Sequence, residues 1–237
     1  MKQAQRKDFF REIRKSWNRW LSLLFIVALG VAFFSGVRSS EPDMRLSADR
    51  LYDQTNFMDI RILGTLGVTD DDLKAIREIP GVKDAEAASS LEALADDGEE
   101  ELVLQVSSLT ERVNLLTLLD GRLPETTSEC LIDTTLSDVY PIGSTIALYD
   151  DKKKEDEDSG EGSLADTLEK TEFTVVGHMT SSYYLTFDRG TASIGDGHID
   201  GLLFVLPETF TEDYHTVIYA TVEGAAALTA MSETYDN

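Results

Sequence analysis

Three histidines, one cysteine and 44 carboxylates are the residues of this 237-residue chain that could make or break bonds. His178, His198 and His215 stand twenty and seventeen residues apart, with no H-E-x-x-H and no paired cysteines beside them. That spacing is not the pattern of a zinc site, and each reads as a surface or hydrogen-bonded histidine. Cys130, between Glu129 and Leu131 in an apolar run, reads as a small buried hydrophobe rather than a nucleophile. No G-x-x-x-x-G-K-[ST] occurs to cradle a nucleotide phosphate. Gly195-Asp196-Gly197 followed by Gly201 misses the dinucleotide spacing, and Ser193 has Thr191 where a nucleophile elbow needs glycine. Carboxylates are so numerous that no pair of them singles itself out as an acid and base. The sequence therefore nominates no catalytic, cofactor-binding or metal-ligating residue.

The stretch "SSYYLTFDRGTASIGDGHIDG" is the exception in texture. Tyr183, Tyr184, Phe187 and Arg189 precede several glycines, a composition suited to a recognition loop on a rigid scaffold. The alternative is a twisted hairpin whose aromatic rings belong to the core.

What must position such a loop begins at the N-terminus. Residues 1–19 hold seven basic groups against Asp8 and Glu12, a net +5, so the remaining chain carries −28 of the −23 total. Phe9, Ile13, Trp17 and Trp20 recur at helical steps, as in a basic amphipathic segment lying on an anionic membrane surface. From Trp20 to Val37 run eighteen uncharged residues, roughly 27 Å as a helix and just enough to span a bilayer. The run ends in Phe33-Phe34-Ser35-Gly36-Val37, where a signal peptidase would need small residues, so it reads as a retained anchor. Positive flanks stay cytoplasmic, which places residues 38–237 outside the cell membrane. An acidic exterior of this size disfavours nucleic acid as a partner. A single cysteine allows no intrachain disulfide.

Residues 38–56 read as a helical stalk, and 57–237 as a two-lobed domain of α+β class. "FMDIRIL" alternates as a half-buried strand through Phe57, Ile60 and Ile62. "GVTDDDLKAIREIPGV" predicts a helix capped by Thr69, with Leu73, Ile76 and Ile79 as its buried stripe. "VKDAEAAS" and "ELVLQVSS" complete an α+β lobe. Short strands follow at Glu129–Ile132, Thr145–Tyr149, "EFTVVGHM", "DGLLFVLPETF" and "YHTVIYATVEG", predicting a β-rich lobe. Residues 150–163 hold ten charges and read as a solvated tip, and "AAALTAMSETYDN" as the start of a helix.

The order of these parts carries a resemblance. The opening "FFREIRKSWNRWLSLLFIVALGVAFFSGVR" leads into "MDIRILGTLGVTDDDLKAIREIPGVKDAEAA", then "DGRLPETTSECLID", "PIGSTIAL", "FTVVGHM" and "LLFVLPETF". Over essentially all 237 residues this resembles the N-terminal portion of an FtsX-like ABC transporter permease, the group that includes MacB. The resemblance implies one transmembrane segment followed by an extracytoplasmic core with a porter-like α+β lobe and a β-rich lobe. It also implies a separate cytosolic ATPase subunit as partner, a second permease copy or half, and no catalytic residue in this chain. Family permeases carry further spans after the ectodomain, and none is present here, so the chain reads as a fragment. The competing reading is a single-pass binding or sensor protein without transport activity.

Overall fold

The computed structural model describes residues 17–96, 98, 100–151, 163–185, 189–230 and 235. The basic segment 1–16, most of the acidic tip, and Phe187 lie outside the described residues. The chain divides into two compact units, one built on a long helix as far as Asp49, the other running from Arg50 to Leu228.

That helix, α1, is unbroken from Trp17 to Gln54 and has no buried residue. Its 38 residues correspond to about 57 Å. Among the described residues it is the one helix long and apolar enough to cross a membrane. It continues through Pro42, where a backbone N–H is missing. The hydroxyls of Ser39 and Ser40 donate to the carbonyls of Gly36 and Val37 one turn earlier.

The second unit holds two sheets. In the smaller, β10 (His215–Val222) lies between β1 (Ile60–Val68) and β2 (Val82–Ala88), antiparallel to both. Helix α2 (Asp70–Arg77) packs on it through Leu73 and Ile76, against Val68, Ala85, Ile218 and Ala220. Thr69 caps α2 as expected: its hydroxyl accepts from the Asp72 backbone, and the Asp72 carboxylate accepts from the Thr69 N–H at 2.9 Å. The Thr69 N–H and, after it, the Thr69 hydroxyl donate to the Asp72 carboxylate and hold it below its ordinary range. Ile79 is not part of the buried stripe. The helix ends at Arg77, before the turn that would return Ile79 to the sheet, and its side chain is half exposed.

The larger sheet runs β3 (Ser90–Asp96), β4 (Glu101–Ser108), β9 (Gly201–Val205), β6 (Glu129–Asp133), β8 (Glu172–Thr180) and β5 (Thr117–Gly121), with β7 (Thr145–Ala147) also on β8. β4 with β9 and β6 with β8 are parallel, and the other pairs are antiparallel. Central strands are buried on both faces. Cys130 and Ile132 join one apolar cluster with Leu104, Phe173 and Leu203, while Leu131 joins another with Met179 and Leu202. Burial on both sides is why these strands read as continuous apolar runs.

The structure differs from the sequence reading in several places. "ELVLQVSS" is β4 of the larger sheet, and the smaller sheet is completed by β10 from the far end of the domain. β10 buries Val217, Ile218, Ala220 and Thr221, which suits it to a central position. "SLEALAD" is a strand the alternation did not reveal, because its buried residues Ala93, Leu94 and Ala95 are consecutive. After Gly224, at φ +84°, Ala225–Ala227 make a single 3-10 turn and Leu228 is extended, so no α-helix begins there. The acidic segment is also not all tip: Asp150 accepts from the Leu164 N–H at 2.9 Å, starting a short helix, α3 (Leu164–Thr167).

β1 slips register between Leu63 and Val68. The chain loops there, and Gly64 is required: a Cβ would lie 1.9 Å from the Gly67 carbonyl oxygen. On this edge strand Ile62 packs against the core as the alternation suggested, whereas Ile60 is about half exposed. Because both neighbours of the small sheet depend on β10, truncating Ile218 to alanine should cost about 2–5 kcal/mol. Urea denaturation of the full chain in detergent, followed by circular dichroism, measures this.

Candidate functional site

Five aromatic side chains of the second unit come together where its two sheets meet. Tyr52, in the last turn of α1, stacks on Phe57 with centroids 4.7 Å apart. Phe57 lies 6.2 Å from Tyr183, which meets Tyr184 edge-on at 4.8 Å and Tyr219 of β10 at 6.4 Å. Arg61 of β1 donates from Nη1 to the Tyr183 hydroxyl at 2.8 Å. Its guanidinium carbon also stands over that ring, 5.9 Å from the centroid, at the outer reach of a cation–π contact.

Tyr183, Tyr184 and Tyr219 of this group border a cleft of about 100 Å³. Its floor comes from β4 and β9 of the larger sheet, its wall from β1, β2 and β10, and its rim from Asn114 and the Ser181–Tyr184 turn. Hydroxyl and amide side chains dominate, and Arg61 is the one charged residue among fifteen. Burial raises the phenol pKa of Tyr184 and pushes that of Tyr219 up to about 12.

The end of α1 is tied into the same region. Thr55 is buried, its hydroxyl within hydrogen-bond distance of Leu51 O (2.8 Å) and of Ser182 Oγ (3.0 Å). Its carbonyl accepts from Leu115 N at 2.8 Å, and that of Asn56 accepts from Asn114 N at 3.1 Å. Asn114 Oδ1 accepts from Met58 N at 2.9 Å, and the Asn56 amide donates to Arg112 O. Segment 111–113 is fixed in turn: three successive backbone N–H groups donate to the Glu86 carboxylate at 2.8–3.1 Å.

Of the residues proposed as a recognition loop, the structure brings Tyr183 and Tyr184 to the cleft. Arg189 does not line it. Its guanidinium donates to the Tyr184 carbonyl at 2.7 Å and approaches the Asp133 carboxylate at 2.7 Å, with both side chains buried. The Asp133 oxygen concerned is poorly oriented for a hydrogen bond, so charge holds the pair. Of the glycines that follow, Gly195 and Gly201 pack tightly. Gly195, at φ +62°, would place a Cβ 2.5 Å from Val103, while Ser193 donates through N and Oγ to Glu92, each at 2.7 Å. Sequence reasoning missed Arg61, Asn114 and Tyr219. The interruption of "DIRIL" by an arginine was the available signal.

Cys130 is fully buried, and burial pushes its thiol up to about 12. His178 Nε2 is 2.9 Å from the Tyr140 carbonyl. His215 stands between Ser89 Oγ (3.2 Å) and Asp70 Oδ1 (3.4 Å), an order reminiscent of a hydrolase triad. The resemblance fails chemically. Asp70 is almost fully exposed, and the N–H groups of Ser89 and Ser90 already donate to Ser108 and Thr216, leaving neither an oriented base nor an oxyanion donor there. Among the described residues no three His, Cys, Asp or Glu side chains are placed to hold a metal ion.

By architecture this is an α+β protein with one N-terminal membrane-competent helix and a β-rich, two-sheet domain. No family model matches the chain, and no curated protein matches it. Among solved structures it is similar to the extracellular domain of the noncanonic ABC-type transporter YknZ from Gram-positive bacteria, at 13% identity and TM-score 0.43, covering 68% of this chain and 76% of that one. It is also similar to the periplasmic region of MacB from Actinobacillus actinomycetemcomitans, at 12% identity and TM-score 0.39, covering 74% and 70%. A domain of a permease protein from Porphyromonas gingivalis aligns at 16% identity and TM-score 0.36, covering 66% and 63%.

Two outcomes follow from the geometry. Asp133→Ala strands the buried Arg189 charge and should cost about 3–5 kcal/mol, read from the urea midpoint. Tyr219 is neutral in the folded protein up to about pH 12, whereas an unfolded phenol titrates near 10. Its contribution to stability is therefore complete below about pH 10 and lost as pH rises toward 12. The tyrosinate absorbance titration should show a late step that Tyr219→Phe removes.

Proposed function

We propose that the chain is the N-terminal part of an ABC transporter permease, anchored by Trp20–Val37 with its N-terminus in the cytoplasm. The domain after the stalk then works outside the membrane, coupling ATP hydrolysis by a separate cytosolic subunit to export, extraction or resistance to a lipid, peptide or drug. In this reading the chain itself hydrolyses no ATP, and a second permease copy or half completes the assembly. The order of the sequence segments supports the class. The observation that carries the coupling is α1: one unbroken helix contains the apolar span and runs to Gln54, and the backbone carbonyls and side chains of Thr55–Asn56 directly after it are bonded to segment 112–115 and to Ser182. A span meant only to tether a domain has no need of such an ending.

The test uses the full chain purified from its native membranes. It should co-purify with a cytosolic ATPase, and the complex should hydrolyse ATP and transport, or confer resistance to, the same compound. A Gly-Ser insertion after Asp43 interrupts α1 and should leave hydrolysis running while transport or resistance falls to background, because flexible linkers transmit little force. Deleting 152–162 should change little. No ATPase in the complex would favour the sensor reading, and full activity after the insertion would refute the lever.

A further inference from the structure

The cleft between the sheets has more hydrogen-bonding capacity than the protein uses. Asn114 is buried, and its Oδ1 is committed to Met58 N, which leaves the amide Nδ2 as a donor with no partner among the described residues. The hydroxyls of Tyr184 and Tyr219 likewise have no partner there, although burial raises both phenols. Arg61 uses one N–H on the Tyr183 hydroxyl and makes no ion pair with a described carboxylate. Unused donors thus converge from β1, β10 and both rim segments. Asn114 is buried, Tyr184 and Tyr219 are half-buried and Arg61 is exposed, so donors the protein leaves unused stand together around one opening, where the acceptors of a ligand can meet them.

The charge is as informative as the donors. With 44 Asp and Glu in 237 residues, a lining of fifteen residues with one arginine and no carboxylate is selective. One guanidinium with neutral donors suits a monoanion, and a carboxylate in particular, which accepts several N–H and O–H bonds at once. A phosphate monoester, at about −1.5 to −2, would bring a second charge with no second cation to meet it, in a chain of net −23. Gln105 donates its Nε2 to the Leu91 carbonyl at 3.1 Å, so its Oε1 remains as an acceptor for an N–H or O–H of the same ligand. The volume of about 100 Å³ holds a carboxylate and a few neighbouring atoms, with the rest of the molecule in the open mouth. We propose that the cleft bounded by Arg61, Asn114, Tyr184 and Tyr219 binds the carboxylate of a small polar ligand, either a peptide C-terminus or an acidic sugar. The site goes beyond the permease reading and stands whether or not the chain couples to an ATPase.

The test is a calorimetric titration of the full chain in detergent micelles with matched pairs. N-acetylglycine is set against N-acetylglycinamide, and N-acetylmuramic acid against N-acetylglucosamine. At least one acid should bind saturably and about ten-fold or more tightly than its neutral counterpart, and which acid is tighter separates the peptide source from the sugar. Arg61→Gln should weaken that acid by about ten-fold, and Tyr219→Phe by a smaller factor, with circular dichroism unchanged. The idea is overturned if neither acid saturates, if acid and neutral partner bind equally, if inorganic phosphate binds more tightly than both acids, or if folded Arg61→Gln binds like the parent.

Discussion

The pairing of β10 with both β1 and β2 is the constraint on which the second unit depends. β1 and β2 are separated by α2 alone, yet they do not pair with each other. The strand between them arrives after the whole larger sheet has been laid down. Ile60 pairs with Ala220 and Ala85 with the same Ala220, so one residue registers two strands far from it in sequence. Such closure is entropically costly and slow, and burial of Val217, Ile218 and Ala220 must offset it. In return, both crossings between the sheets, at Ser89 and at the entry to β10, are brought side by side. Ser90 N donates to Thr216 Oγ1, and Thr216 Oγ1 donates back to the Ser90 carbonyl.

That long-range closure also explains what could be read from the sequence. Local signals were legible where local physics decides: the Thr69–Asp72 cap, the two-sided apolar runs of β6 and β9, and the uncharged stretch inside α1. Strand partners were not legible. "ELVLQVSS" and "YHTVIYATVEG" have the same texture, and nothing within either tells which sheet will take it. β3 was hidden because Ala93-Leu94-Ala95 is buried on consecutive positions, with Leu94 N and O bonded to Tyr149 rather than alternating toward solvent.

The cleft was half legible for a similar reason. Tyr183 and Tyr184 drew attention through composition, and Arg189 beside them invited the same role. A buried carboxylate at Asp133 claims Arg189 instead, because an unpaired guanidinium at that depth would be very unfavourable. The cation that reaches the cleft is Arg61, 122 residues from its tyrosine, on an edge strand exposed enough to leave the charge hydrated. A residue's role here is set by which sheet face it lands on, which is a property of register and not of its neighbours in sequence.

Asn114 joins this chemistry to the helix. It holds a left-handed backbone at φ +54°, uncommon for a residue with a side chain, and two of its bonds reach the chain just beyond α1. Its N–H donates to Asn56 just beyond α1, its Oδ1 accepts from Met58 on the way to β1, and the residue lines the cleft. The segment before it is anchored to β2 by the three bonds to Glu86. A displacement of the Thr55–Asn56 corner must therefore either break two backbone bonds or carry segment 114–115 with it, and Asn114 lines the cleft. Conversely, a ligand that fixes Asn114 Nδ2 stiffens the attachment of the helix end. The end of α1 and the cleft are physically one network, so the helix ending and the donor set cannot be altered independently.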